Sequence, residues 1–197
     1  MAPRGPGSTG PGMEVALAIA LCSMFGLGVG GWLWWVTSGL GAAVDGRTVL
    51  LDGRSVFLRS ALFGTAVSFG LWLGWVLVAY GVLQRSTPSA ISIERLLREA
   101  GLATAPLALG VLMVVPYLSF GIGIAVIGAW AMAMQTALER ATGLRGMPVL
   151  VANALGFALW AGVLSLITAG GHTFAPGPFL AHAVWESVAR LVSTSLR

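Results

Sequence analysis

The side chains able to do chemistry in this chain are few and far apart. His172 and His182 are its only histidines and Cys22 its only cysteine. A single cysteine excludes an intramolecular disulfide and any cysteine-based metal site. Bis-histidine haem needs two imidazoles facing each other inside a bundle, and both histidines read instead as loop or surface residues near the C-terminus. All eleven basic residues are arginine, so a retinal Schiff base, which needs a lysine, cannot form. No Gly-x-Ser-x-Gly, His-Glu-x-x-His, Cys-x-x-Cys or phosphate-loop pattern occurs. The glycine-rich stretch 26–31 lies inside an apolar run rather than after a soluble strand, so it does not read as a phosphate loop. The sequence predicts no catalytic residue, no cofactor, no metal and a non-enzymatic role.

Gln135, Thr136 and Asn153 are the polar groups nearest the middle of apolar stretches. Interhelical hydrogen bonds are their first reading, each contributing about 0.6 kcal/mol in a membrane bundle. In a small transporter or channel subunit, the alternative, they would line a polar path. Ion-coupled transport commonly places a charged group inside a span. Here Glu14 and Glu139 stand only at span ends.

The elements that position these residues follow from composition. Hydrophobic residues make up 57% of the 197 and charged ones 9%, against about 25% charged in a soluble domain. Mean hydropathy is +0.89. Such a chain has too little polar surface to face water on all sides, so lipid is its solvent. A spanning helix takes about 20 apolar residues, and five stretches qualify, near 15–36, 61–83, 102–117, 121–138 and 148–168. The uncharged run 102–138 would be about 55 Å long as one helix, so it must turn, at Pro116 to Gly121. Pro148 suits a first helical turn. The predicted fold is an all-α, polytopic bundle of about five transmembrane helices with short interfacial amphipathic helices.

Residues 1–12 read as a disordered tail. Asp45-Gly46-Arg47 and Asp52-Gly53-Arg54 mark turns between spans one and two. Ser92 is placed to cap a helix carrying Ile93, Leu96, Leu97 and Ala100 on one face, lying on the membrane or leading into span three. Residues 170–197 read as a hinge and a C-terminal interfacial helix, because His182, Glu186 and Arg190 make a sixth span costly. Cys22 reads as a small buried residue. Most of the eight tryptophans lie near span ends and read as interfacial anchors.

Net charge is +4, but the arginines are scattered through loops, which fits lipid head groups and not nucleic acid. Arg85, Arg95 and Arg98 follow span two, and Arg140 and Arg145 follow span four. The bias of arginine toward the cytoplasm then predicts a cytoplasmic N-terminus, in a prokaryotic inner membrane.

Small residues recur every four positions: Gly121, Ala125, Ala129, Ala133 and Ala137 on span four, and Ala154, Ala158 and Gly162 on span five. Gly26 and Gly30 repeat the spacing on span one. Such rows let helix backbones approach closely in lipid. They serve packing within the bundle or the binding of another membrane protein.

The block from Arg95 to Pro106, with Arg98, Gly101 and Pro106 in key places, resembles the entry to the third span in the Yip1 family. The hairpin at Pro116 to Gly121 and Trp130 in the following span are similar too. The resemblance covers about residues 93–167. It implies five spans, a cytoplasmic N-terminus and an external C-terminus. The expected role is a Yip1-like membrane scaffold that binds partner membrane proteins through its small-residue faces. An accessory subunit of a respiratory or photosynthetic complex is a further alternative.

Overall fold

A computed structural model describes residues 12–37, 57–115 and 118–169. The predicted tail before Gly12, the two Asp-Gly-Arg turns, Pro116 with Tyr117, both histidines and the predicted C-terminal helix lie outside the described residues. Within them the chain is helical and no strand occurs.

The elements are α1 (Met13–Thr37), a π-helical turn (Leu58–Phe63), α2 (Gly64–Ser86), α3 (Ile93–Leu102), a 3₁₀ helix (Ala105–Val114), α4 (Ser119–Thr142) and α5 (Met147–Ala169). Among the described residues, five stretches are long and apolar enough to cross a membrane: Met13–Trp34, Ala61–Ser86, Ile93–Val114, Gly121–Thr142 and Met147–Leu164.

Helix ends follow local chemistry. The Ser92 hydroxyl accepts from the backbone N–H of Arg95 at 3.3 Å, starting α3. Gly143 ends α4 in the left-handed conformation, with φ of 74°, which glycine adopts at little cost. Its N–H reaches the Glu139 carbonyl at 2.8 Å, closing the last turn.

The third span differs from its sequence-predicted bounds of 102–117. It begins at Ile93, because the charged residues of α3 sit on an outer face while Leu96 and Ala100 are fully buried. It then passes into a ten-residue 3₁₀ helix. Pro106 has no N–H to continue α-helical bonding. Thr104 donates to Gly101 and Leu107 to Thr104, both three residues back. A 3₁₀ helix rises about 2.0 Å per residue against 1.5 Å for an α-helix, so the change of winding lengthens a short span.

This third span packs parallel to α1 with backbones nearly touching. A Cβ at Gly101 would lie 2.7 Å from the Ala16 carbonyl oxygen, and one at Gly26 would lie 3.2 Å from the Ala108 Cα. At Gly30 it would lie 2.6 Å from the carbonyl carbon of Gly110. From Ala16 to Gly30 is fourteen residues of α1, matched by nine from Gly101 to Gly110. The extra rise of the 3₁₀ segment, about 0.5 Å per residue, narrows this difference in length.

On the other side of the bundle α2 packs lengthwise against α5, and α4 joins both the third span and α5. Trp72, Trp75, Val76, Ala79 and Leu83 form the fully buried stripe of α2. Their spacing of three and four is that of one helix face.

Candidate functional site

The interior of the α2–α4–α5 half is filled by aromatic rings. Trp75 lies 4.9 Å from Trp130, and Trp130 lies 5.0 Å from Trp160 at 82°, edge to face. Phe157 closes the cluster at 5.6 Å from Trp75 and 6.0 Å from Trp160. Edge-to-face pairs of this kind contribute about 0.5–1.5 kcal/mol each beyond their area. Gly156 admits the Trp75 ring: a Cβ there would sit 2.6 Å from Trp75 Cγ. These tryptophans correct the sequence reading. Trp72, Trp75 and Trp130 are completely buried, and Trp160 nearly so. They are core residues rather than interfacial anchors, because small residues on facing helices leave room for indole rings.

The three candidate polar residues do not share a path. Asn153 is buried and donates from Nδ2 to the Ala131 carbonyl at 3.1 Å, tying α5 to α4. Gln135 donates to Glu139 Oε1 on its own helix at 3.0 Å. Thr136 is exposed and bonds back to the Met132 carbonyl at 3.2 Å. Cys22 also departs from expectation: it is exposed on α1, on the side opposite the buried Ala16, Ala20, Met24 and Leu27.

The small-residue rows divide between inside and outside. On α4, Ala137 is buried and Ala133 half-buried, while Gly121, Ala125 and Ala129 are exposed. On α5, Ala154, Ala158 and Gly162 are all exposed. A Cβ added at Gly162 would meet nothing within 4 Å. The internal close approaches use Gly26, Gly30, Gly101, Gly110 and Gly156 instead. Of the family-like residues, Gly101 lets α1 and α3 touch, Pro106 lies in the first turn of the 3₁₀ helix, and Trp130 centres the aromatic cluster.

Arg98, the fourth, belongs to a charged end of the molecule. Glu14, Arg85, Glu94, Arg95, Arg98, Glu99, Glu139, Arg140 and Arg145 gather where α1, α3 and α5 begin and α2 and α4 end. Arg95 Nη2 donates to the Arg140 carbonyl at 2.8 Å. A cation there satisfies an open carbonyl at the negative end of the α4 dipole. Arg98 and Glu99 pair at 3.7 Å. Between α3 and the second half of α4 lies an open groove of about 310 Å³, lined by Glu99, Leu102, Ala103, Ala133, Thr136, Ala137 and Arg140. Sequence reasoning missed this groove: Glu99 and Arg140 are 41 positions apart, and no local pattern joins them.

A Trp-filled helical interior, five apolar spans and charges gathered at a bundle end define the class. This is an all-α, multi-pass membrane protein. Comparison with protein-family models, curated proteins and solved structures finds no match.

Proposed function

We propose that the protein is a non-enzymatic scaffold of the membrane, Yip1-like in type, that binds a partner membrane protein through the outer face of α5. One observation carries the reading: Ala154, Ala158 and Gly162 form an exposed row with no helix of the described residues packed against it. In lipid the drive for helices to associate comes from close packing, and small residues at four-residue spacing permit it. The exposed Val151, Leu155 and Leu159 alongside give a partner helix ridges to interdigitate with. The row on α4 is less suited to a helix, since it runs into the charged groove. The aromatic filling of the α2–α4–α5 interior favours a scaffold over a transporter, because packed rings occupy the space that a polar path would need.

Its orientation follows the same logic. The charged end carries five arginines against four glutamates, which favours the cytoplasmic side of a prokaryotic inner membrane. Ala16 packs beside Gly101 at this end, so the N-terminus is cytoplasmic.

The test compares the full chain with an Ala154→Leu, Ala158→Leu, Gly162→Leu triple variant, both isolated from their own membrane in mild detergent. The wild type is expected in a larger assembly and the variant as a folded monomer with unchanged helix content. A wild type that runs as a lone monomer, or a variant that keeps the assembly, overturns the proposal.

A further inference from the structure

We propose that the groove between α3 and α4 binds an aminophospholipid, one whose head group carries both a phosphate and a primary ammonium. The groove lies at the charged end of the bundle, at the level where a spanning helix meets lipid head groups. Its polar rim holds opposite charges, Arg140 and Glu99, above an apolar floor of Leu102, Ala103, Ala133 and Ala137.

The two charges do not neutralise each other. Among the described residues the one ion pair is Arg98 Nη2 with Glu99 Oε1, at 3.7 Å. Among the described residues Glu99 Oε2 has no ion-pair partner, and none of their carboxylates stands within ion-pair distance of the Arg140 guanidinium. A guanidinium presents a planar fork of donors that matches two phosphate oxygens. A carboxylate oxygen accepts from a primary ammonium but gets no hydrogen bond from a quaternary one. A zwitterionic aminophospholipid supplies both complements at once.

The floor continues away from the rim along α4. Ala133 is half-buried, and Ala129, Ala125 and Gly121 follow it at four-residue spacing on the exposed surface. Added at Gly121, a Cβ would meet nothing within 4 Å. From Ala133 to Gly121 is about 18 Å along the helix axis, a track on the scale of one acyl chain. Ile124 and Met132, both exposed, stand beside it. The reading is independent of the α5 partner face.

The experiment is native mass spectrometry of the delipidated full chain in mild detergent. It is titrated separately with phosphatidylethanolamine, phosphatidylcholine, phosphatidylglycerol and inorganic phosphate. Phosphatidylethanolamine is expected to bind about tenfold more tightly than the other two lipids, and millimolar inorganic phosphate to leave it bound. Glu99→Gln brings the three lipids within about twofold of one another. Arg140→Gln weakens all three about tenfold, and Arg140→Lys, which keeps the charge but loses the fork, weakens them less. Equal binding of the three lipids by wild type overturns the proposal. So does a preference that survives Glu99→Gln, displacement by inorganic phosphate alone, or absence of binding. Glu99 is on the rim, so Glu99→Gln keeps the question answerable if an Arg140 variant does not fold.

Discussion

Replacing Gly30 by alanine tests the contact between α1 and the third span. The new Cβ would lie 2.6 Å from the Gly110 carbonyl carbon and 3.0 Å from the Val111 Cα. Non-bonded carbons rest about 3.5–4.0 Å apart, so the helices must separate by about 1 Å. Both neighbours are backbone, and no side chain can rotate away. Overpacking in a dense interior costs about 1–3 kcal/mol, and this geometry belongs at the upper end. For a chain of this size about 3 kcal/mol lowers the melting temperature by roughly 6–12 °C. Gly70→Ala is the control, since nothing lies within 4 Å of the added atom. Alanine in a helix interior is then favoured by about 0.5–1 kcal/mol, so its melting point is unchanged or slightly raised. Thermal unfolding followed by tryptophan fluorescence in detergent compares the two. Equal melting points for the variants would refute the backbone contact.

Trp130→Ala removes the ring that bridges Trp75 and Trp160. It should destabilise the bundle by about 3–5 kcal/mol, as large aromatic truncations in cores do, where an interfacial anchor would cost far less; the same thermal assay decides. Ser92→Ala removes the oxygen that accepts from Arg95 N–H. Loss of an N-cap costs about 1 kcal/mol, which should speed hydrogen exchange in the first turn of α3 roughly fivefold and leave α5 unchanged. Uniform acceleration across both helices would mean that Ser92 supports more than its own helix end.

The spans were legible because lipid imposes one simple demand, an uncharged run long enough to cross it, and the runs around 15–36 and 61–83 meet it without ambiguity. The third was harder. Glu94, Arg95, Arg98 and Glu99 made its first turns look like surface, although Leu96 and Ala100 on the other side are core. Nothing in the sequence marked the ten-residue 3₁₀ segment beyond Pro106. Tryptophan was misread for a physical reason: an amphipathic ring suits an interface, and its role depends on what faces it. One available signal was the spacing of Trp72, Trp75, Val76, Ala79 and Leu83, which is the stripe of a buried face. The small-residue rows were visible as faces. Which way they point was not, because alanine and glycine suit a tight helix contact and a lipid-facing groove equally. The charged groove joins residues distant in sequence, and only the packing of α3 on α4 brings them together.

Immersion of α1 and its neighbours in hydrocarbon is tested most directly at the single cysteine. Cys22 is exposed on α1, eight residues past Glu14, or about 12 Å deeper along the axis. A nitroxide attached there, in protein reconstituted into phospholipid vesicles, is read by its collisions with oxygen and with a water-soluble nickel chelate. A label immersed in hydrocarbon collides frequently with oxygen, which concentrates in the bilayer, and almost never with the chelate. Frequent collisions with the chelate would place this face in water and contradict that immersion.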